Sequence, residues 1–383
     1  MAYRGQPRCA CVGVNPAGGW RLDRADRDVA RGKEQASIRE IATRLGLSIA
    51  TVSRALNGME GVSEQTRLRV QRVADEMGYQ RHIAERQTRV IGLLYGGEQL
   101  RPEWGAFDSA VVNGIREATE ARGWDLTLLS ASQRKGPKES FRQFLRYRNV
   151  PGVIVRSIQP TPLTAVQVAR EGIPSVMLAN RTEDPGVNYI CTEMRSQLGI
   201  LMDHFVGQGH RRIGLSLHGL IDHDMRERHE AYVEAHGRHG LALDPDLVVQ
   251  ASEFGTARVG ARAIDRLLSL ERPPTAIFFA DPMSTVGALQ RCLALGVRVP
   301  EELSIAGVDD GEVRMITHPV YTAVCQDAAG MGRRAARWLI DSLTGRETMP
   351  LRESEAATLA IHDSVGPAPA RAVRLGADGS RIS

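Results

Sequence analysis

A small all-helical unit followed by an α/β unit, its parallel sheets covered by helices on both faces, is the fold class this sequence predicts. Three observations lead there. Residues 37–79 carry apolar residues at helical spacing, punctuated by Gly46 and by Asn57-Gly58. From residue 91 onward, short apolar runs alternate with longer amphipathic stretches, the pattern of strands and crossover helices. A length of 383 residues holds two or three ordinary domains, and 42% hydrophobic residues supply a core.

In chain order, residues 1–36 are rich in Gly, Arg and Asp without an apolar period and read as a disordered arm. Ile38, Ile41, Ala42 and Leu45 then recur at i, i+3, i+4 and i+7, one apolar face of a short helix. Gly46 ends it, where positive φ is wanted. Ser48 is placed to cap a second helix over 49–56. Val52, Ala55 and Leu56 face inward there, leaving Ile49, Ala50, Thr51, Ser53 and Arg54 toward solvent or a partner. Asn57-Gly58 breaks the chain, and Ser63 caps a third helix that carries Leu68, Val70, Val73 and Met77 to Gly78. Three short helices with a tight turn between the first two form a helix-turn-helix over 37–79.

Residues 80–90 read as a linker. Strands are expected over 90–95, 125–129, 150–155, 174–178, 212–217, 276–279 and 303–308, with helices between them, the first over 108–122. Residues 366–383, rich in Gly, Pro and Ala, read as a disordered tail.

Composition and charge narrow the function classes. No run of 18 apolar residues exists to span a membrane, and the first twenty residues lack the apolar core of a secretory signal, so a cytoplasmic location is expected. Five scattered cysteines do not suggest a disulfide framework. Net charge is +3 over 1–36, +3 over 37–90 and −2 over 91–383, so the positive charge gathers at the helical end, as binding to phosphates requires. A solvated basic tail would look the same. Seven of the ten histidines fall between His204 and His239, but no H-E-x-x-H is present, and Cys9-Ala10-Cys11 has no second ligand pair at zinc spacing. Gly214-Leu-Ser-Leu-His218 lacks the second glycine of a nucleophile elbow, and no phosphate-binding G-x-x-x-x-G-K loop occurs. No metal, cofactor or catalytic constellation is expected.

The segments L-S-I-A-T-V-S-R-A-L-N-G (47–58), G-H-R-R-I-G (209–214), V-P-E-E-L-S-I-A-G-V-D-D (299–310) and L-A-I-H-D-S (359–364) stand in one order and spacing. Together they resemble the lactose/galactose-repressor (LacI/GalR) family of transcription regulators over about residues 37–365. The resemblance implies a periplasmic-binding-protein-like core of two lobes. Lobe 1 would hold about 91–190 and 326–352, and lobe 2 about 191–325 and 353–365. It implies a homodimer on a palindromic operator and a small-molecule effector, sugar-like or acid-like, between the lobes.

Carried over residue by residue, Ile49, Ala50 and Arg54 match base-reading positions. Arg54 suits a bidentate bond to guanine, whereas Ile49 and Ala50 can only touch thymine methyls or exclude bases. Ser48, Thr51, Ser53, Asn57 and Arg86 suit phosphates. The linker departs from the family pattern: it is short, and Thr88 stands where an apolar wedge into the minor groove is usual. Effector contacts would come from Tyr95, Gly96, Phe107, Asn180, Arg181, Arg228, Asp281, Asp309 and Gln326, with Asp309 as the ligand-binding carboxylate and Asp310 structural. Trp104 and Phe107 offer rings for stacking. Asp281-Pro282 and Ala328 replace residues usual in the family, which suggests a divergent pocket. A solute-binding module without regulation, an enzyme on the same core, and an activator in place of a repressor are the rival readings.

Overall fold

The computed structural model describes residues 37–56, 59, 61–77, 88–95, 105–137, 139–157, 162–219, 223–251, 256–347, 349–376 and 378–382. The arm at 1–36 lies outside them. Two compact units result, one up to Gln87 and one from Thr88 to Ser383.

In the first unit, α1 (Ile38–Leu45) opens on a capping box. The Glu40 N–H donates to Ser37 Oγ at 3.3 Å, and the Ser37 N–H donates to the Glu40 carboxylate at 2.5 Å. That bond holds the Glu40 carboxyl below its usual range. Gly46 closes the helix at φ +66. Ser48 Oγ accepts the Thr51 N–H at 3.0 Å at the start of α2 (Ile49–Leu56), and Ser63 Oγ accepts the Thr66 N–H at the start of α3 (Glu64–Glu76). Ile41, Ala42, Leu45, Val52, Ala55, Val70 and Ala74 form the core. Leu68 points outward, 58% exposed; the helical period places Val70 and Ala74 inward instead.

The second unit has two six-stranded sheets. Sheet one takes the order β11-β5-β4-β3-β1-β2, all parallel. Its strands are β1 (Val90–Tyr95), β2 (Asp125–Ser130), β3 (Val153–Arg156), β4 (Ser175–Leu178), β5 (Asn188–Glu193) and β11 (Arg352–Ala356). Sheet two takes the order β12-β10-β9-β8-β6-β7, parallel except for β12. Its strands are β6 (Ile213–His218), β7 (Val248–Ala251), β8 (Ala276–Phe279), β9 (Ser304–Asp309), β10 (Thr322–Cys325) and β12 (Thr358–Ala360). Helices on each side bury separate apolar clusters against both faces of each sheet.

The helices are α4 (Ala106–Glu120), α5 (Ala131–Arg134), α6 (Phe141–Arg146) and α7 (Leu163–Arg170) in lobe 1. Lobe 2 has α8 (Arg195–Gly207), α9 (His223–Arg238), α10 (Ala257–Leu268) and α11 (Pro282–Ala294), and α12 (Ala328–Leu343) returns to lobe 1. Glycine lets one helix pair in each lobe touch at the backbone. A Cβ on Gly114 of α4 would sit 1.9 Å from the Ala329 carbonyl oxygen of α12, and one on Gly260 of α10 would sit 1.8 Å from that of Ser284 of α11.

Three boundaries differ from the sequence reading. The linker ends at Gln87 rather than at 90, because Thr88 and Arg89 belong to the second unit and Val90 already pairs in β1. The Arg89 carbonyl accepts the Asp125 N–H at 2.6 Å. The lobe boundaries shift to Glu193 and Ala356: β11 extends the lobe 1 sheet beside β5, and the chain crosses back at Ala357. Residues 366–376 and 378–382 are an ordered strap on lobe 2, not a disordered tail. Val373 and Leu375 are buried, β13 (Arg374–Leu375) pairs with β14 (Arg381–Ile382), and Arg381 pairs with Glu302. Two apolar anchors and one ion pair hold an otherwise Gly- and Pro-rich segment.

Candidate functional site

Helix α2 is held from behind and open in front. Val52 and Ala55 are fully buried, which fixes Ile49 (51% exposed), Ala50 and Arg54 toward solvent. Thr51 and Ser53 are half-buried at the sides. Ser48 Oγ is committed to its cap and lies 2.8 Å from Thr51 Oγ1. The first turn carries no acidic residue, so its unpaired N–H groups and partial positive charge are open to an anion. An isoleucine left exposed at that turn, with an arginine further along the same open surface, is a surface for a partner rather than for folding. Asn57 and Arg86 lie outside the described residues.

The second site lies at the carboxyl ends of strands, where α/β sheets bind ligands. On lobe 1, Tyr95 closes β1, Arg156 closes β3, and Phe107 and Asp108 open α4. Arg156 donates from Nε to Asp108 at 3.2 Å and lies 4.7 Å above the Phe107 ring. Burial first, then the Asp108 charge, pushes the Tyr95 hydroxyl above its usual range. Gly96 and Trp104 lie outside the described residues. Asn180 is buried, its side-chain carbonyl accepting the Arg181 N–H at 2.9 Å, and the Arg181 side chain is exposed.

On lobe 2, Arg228 of α9 is 5% exposed and donates to the Ala280 carbonyl at 2.6 Å, while its Nε–H is buried with no partner among the described residues. Asp310 takes a bond from Gln326 Nε2 at 2.5 Å. Its carboxyl is pushed up to about 6, by burial first and by the neighbouring Asp309 and Asp281 charges; Arg228 and Gln326 oppose that rise. Gly311 brings this turn against Ala110 of α4, so the two lobes meet beside the cluster. Glu227, the residue before Arg228, is buried, accepts the Met194 N–H at 3.1 Å, and is raised by burial.

Two expectations change here. Asp309 is not the open carboxylate: it accepts the Val313 N–H at 2.9 Å and pairs with Arg314, with its side chain fully covered. Strand alternation explains this. Val308 faces one core cluster, so Asp309 shares the opposite face with Gly307, which lies against Thr285 of α11. Asp310, one residue beyond the strand, is the carboxyl that feels the Arg228 charge and takes the Gln326 bond. Asp281 is the cap of α11, accepting the Ser284 N–H at 2.7 Å, so one of its oxygens is spoken for. Sequence reasoning missed Asp310, Asp108 and Arg156. For Arg156 the signal was present, since a charged residue closing an apolar strand stands where ligands bind.

Among the described residues, no group of three or more His, Cys, Asp or Glu side chains is arranged to hold a metal. His210 is a buried hub bonded to Thr275 Oγ1 (2.8 Å), Ser304 Oγ (3.0 Å) and the Gly366 carbonyl (3.1 Å), and burial lowers its pKa.

Comparison with known proteins decides the class. Residues 37–82 match the family model of bacterial regulatory proteins of the LacI family, and residues 202–365 match a periplasmic binding protein-like domain. The chain belongs to the LacI family. It is a DNA-binding transcription regulator, not an enzyme. Among curated relatives, the HTH-type transcriptional repressor CytR of Escherichia coli K12 is 27% identical over 321 residues, covering 81% of this chain and 91% of CytR. The HTH-type transcriptional regulator CelR of Thermobifida fusca is 29% identical over 341 residues, covering 87% and 99%. The solved structure of a CelR–cellobiose complex matches with a TM-score of 0.61 at 27% identity, covering 86% of this chain and all of that one. Among the described residues no helix is long and apolar enough to cross a membrane.

Proposed function

We propose that this regulator is a repressor that binds a palindromic operator as a homodimer in the cytoplasm and answers to a small carbohydrate or related metabolite between its lobes. Arg54 reads guanine, Ile49 and Ala50 meet thymine methyls, and Ser48, Thr51, Ser53, Asn57 and Arg86 serve phosphates. Two heads occupy two half-sites, because one three-helix head makes few contacts. Tyr95, Gly96, Phe107, Asn180, Arg181, Arg228, Asp281 and Gln326 form the effector site. Asp310 joins them as the carboxyl, with Asp309 in a supporting role through Arg314.

The observation that carries this reading is the buried Arg228, whose Nε–H has no partner beside Asp310 and Gln326. A buried donor left open costs about 1–3 kcal/mol, and a ligand hydroxyl or ring oxygen would satisfy it. The cellobiose bound by CelR is consistent with a sugar at this place. Effector binding favours one arrangement of the lobes over the other, and DNA affinity follows as a coupling between two states.

The test is DNA binding with and without a panel of mono- and disaccharides that includes cellobiose. Wild type is expected to lose affinity with one of them, whereas Arg228→Ala and Asp310→Ala bind DNA alike in its presence and absence. Loss of DNA binding by both variants without any sugar would contradict an effector role.

A further inference from the structure

We propose that Met59 is a further base contact of the head, its side chain meeting a thymine methyl beside the bases that α2 reads. The inference rests on base reading by α2, as proposed above, and extends that surface by one residue.

Three large apolar side chains among the described residues of the head turn away from its core. Ile49, Met59 and Leu68 are 51%, 58% and 58% exposed, whereas Ile38, Leu47, Leu56, Val62, Val73 and Met77 pack against the core cluster. Folding of the head therefore makes little use of the Met59 side chain. A single exposed apolar residue is ordinary on a protein surface, so exposure alone assigns nothing. What sets Met59 apart is how its backbone is held. Its N–H donates to the Arg54 carbonyl of α2 at 3.0 Å, which satisfies one of the acceptors that a helix end leaves open. Its own carbonyl accepts a bond from the Arg67 guanidinium of α3 at 3.0 Å. Arg67 makes that bond out of reach of water, since its Nε–H is buried with no partner among the described residues. Leu68, by contrast, is carried on the outer face of α3.

The main chain of Met59 is thus tied to the residue assigned to guanine, and the exposed apolar surface that opens at Ile49 resumes past the last turn of α2. The eight residues of α2 span about 12 Å, or three to four base-pair steps of about 3.4 Å. Ile49 and Met59 therefore bracket the helix and serve different positions of one half-site. A thioether offers a base edge little hydrogen bonding, and the apolar feature of the major groove is the thymine methyl. Methionine, unbranched and polarizable, adapts to such a group once its backbone is fixed.

The full-length protein selects duplexes from a random pool. The enriched site is then rebuilt with each thymine of one half-site replaced in turn by deoxyuridine, which lacks only the methyl. Affinity is compared for wild type, Ile49→Ala, Met59→Ala and Met59→Leu, with melting temperature as the folding control. At one thymine, uracil is expected to weaken wild type about fourfold, the worth of one buried methyl group, and to leave Met59→Ala unchanged. Met59→Leu and Ile49→Ala keep the sensitivity at that thymine. A half-site without thymine, or equal sensitivity of wild type and Met59→Ala at every thymine, overturns the Met59 contact alone. So does a Met59→Ala loss that is the same on thymine, uracil and scrambled duplexes, which puts the side chain on the sugar-phosphate backbone. A pool that enriches no repeat contradicts base reading by α2 and the Met59 contact together.

Discussion

The two lobes are built to one plan and finished differently at the two ends of their sheets. Each has six strands, helices on both faces, and one helix pair closed through glycine, at Gly114 in lobe 1 and Gly260 in lobe 2. At the strand starts, lobe 2 is sealed by its own chain: His210 ties Thr275, Ser304 and Gly366 together, and the strap that follows packs Val373 and Leu375 into the core. Lobe 1 carries an open, arginine-edged notch there instead. At the strand ends, lobe 1 offers a matched pair, Asp108 and Arg156, whereas lobe 2 gathers Asp281, Asp309 and Asp310 around Arg228 and Arg314. The topology decides where a site can be. The last residue of each strand and the segment after it decide what the site does.

The shared plan is broken most severely at the helix pairs. Gly260→Val and Gly114→Val each drive a side chain into a carbonyl oxygen, so each is expected to cost about 3 kcal/mol or more in denaturant unfolding. A tolerated valine in one lobe only would show that the two pairs are not equivalent. Next in size is the seal of lobe 2. His210→Ala leaves the buried Ser304 hydroxyl, the half-buried Thr275 hydroxyl and the Gly366 carbonyl each short of a partner and is expected to cost about 2–3 kcal/mol, read from the same unfolding curves.

The third contrast is electrostatic. The Asp310 carboxyl titrates at about 6 in the fold against an ordinary 3.8, so the folded state holds this proton more tightly than the unfolded chain. Its contribution to stability is therefore full below about pH 4 and lost as pH rises through 6. Between those values wild type is expected to lose up to about 3 kcal/mol relative to Asp310→Asn. Parallel pH–stability curves would mean that Asp310 stays ionised.

The head was legible almost to the residue because its signals are local. An i, i+3, i+4, i+7 face, a Ser cap and a left-handed Gly46 each fix a helix end within one turn of sequence. The core strands were legible for the same reason, as short apolar runs. What escaped depends on which face a residue takes or on distant partners. Asp309 and Asp310 are adjacent and chemically identical; the parity of β9, counted from the buried Val308, turns Asp309 toward Arg314, while Asp310 lies past the end of the strand beside Gln326. Arg156 gains its role from Asp108 and Phe107, nearly fifty residues earlier. The strap at 366–376 and 378–382 reads as disordered because its order rests on Gln208, Gly296 and Glu302, none of them close in sequence.

The central claim is that α2 reads bases through Arg54 on the surface that Val52 and Ala55 hold outward. Duplexes bound by wild type are selected from a random pool, and affinity is then compared for wild type and Arg54→Ala on the enriched site and on a scrambled one. An enriched inverted repeat, with a loss of about 10–100-fold on that site and less than about twofold on the scrambled duplex, is the expected result. Equal losses on both duplexes, or a pool that enriches no repeat, would contradict it.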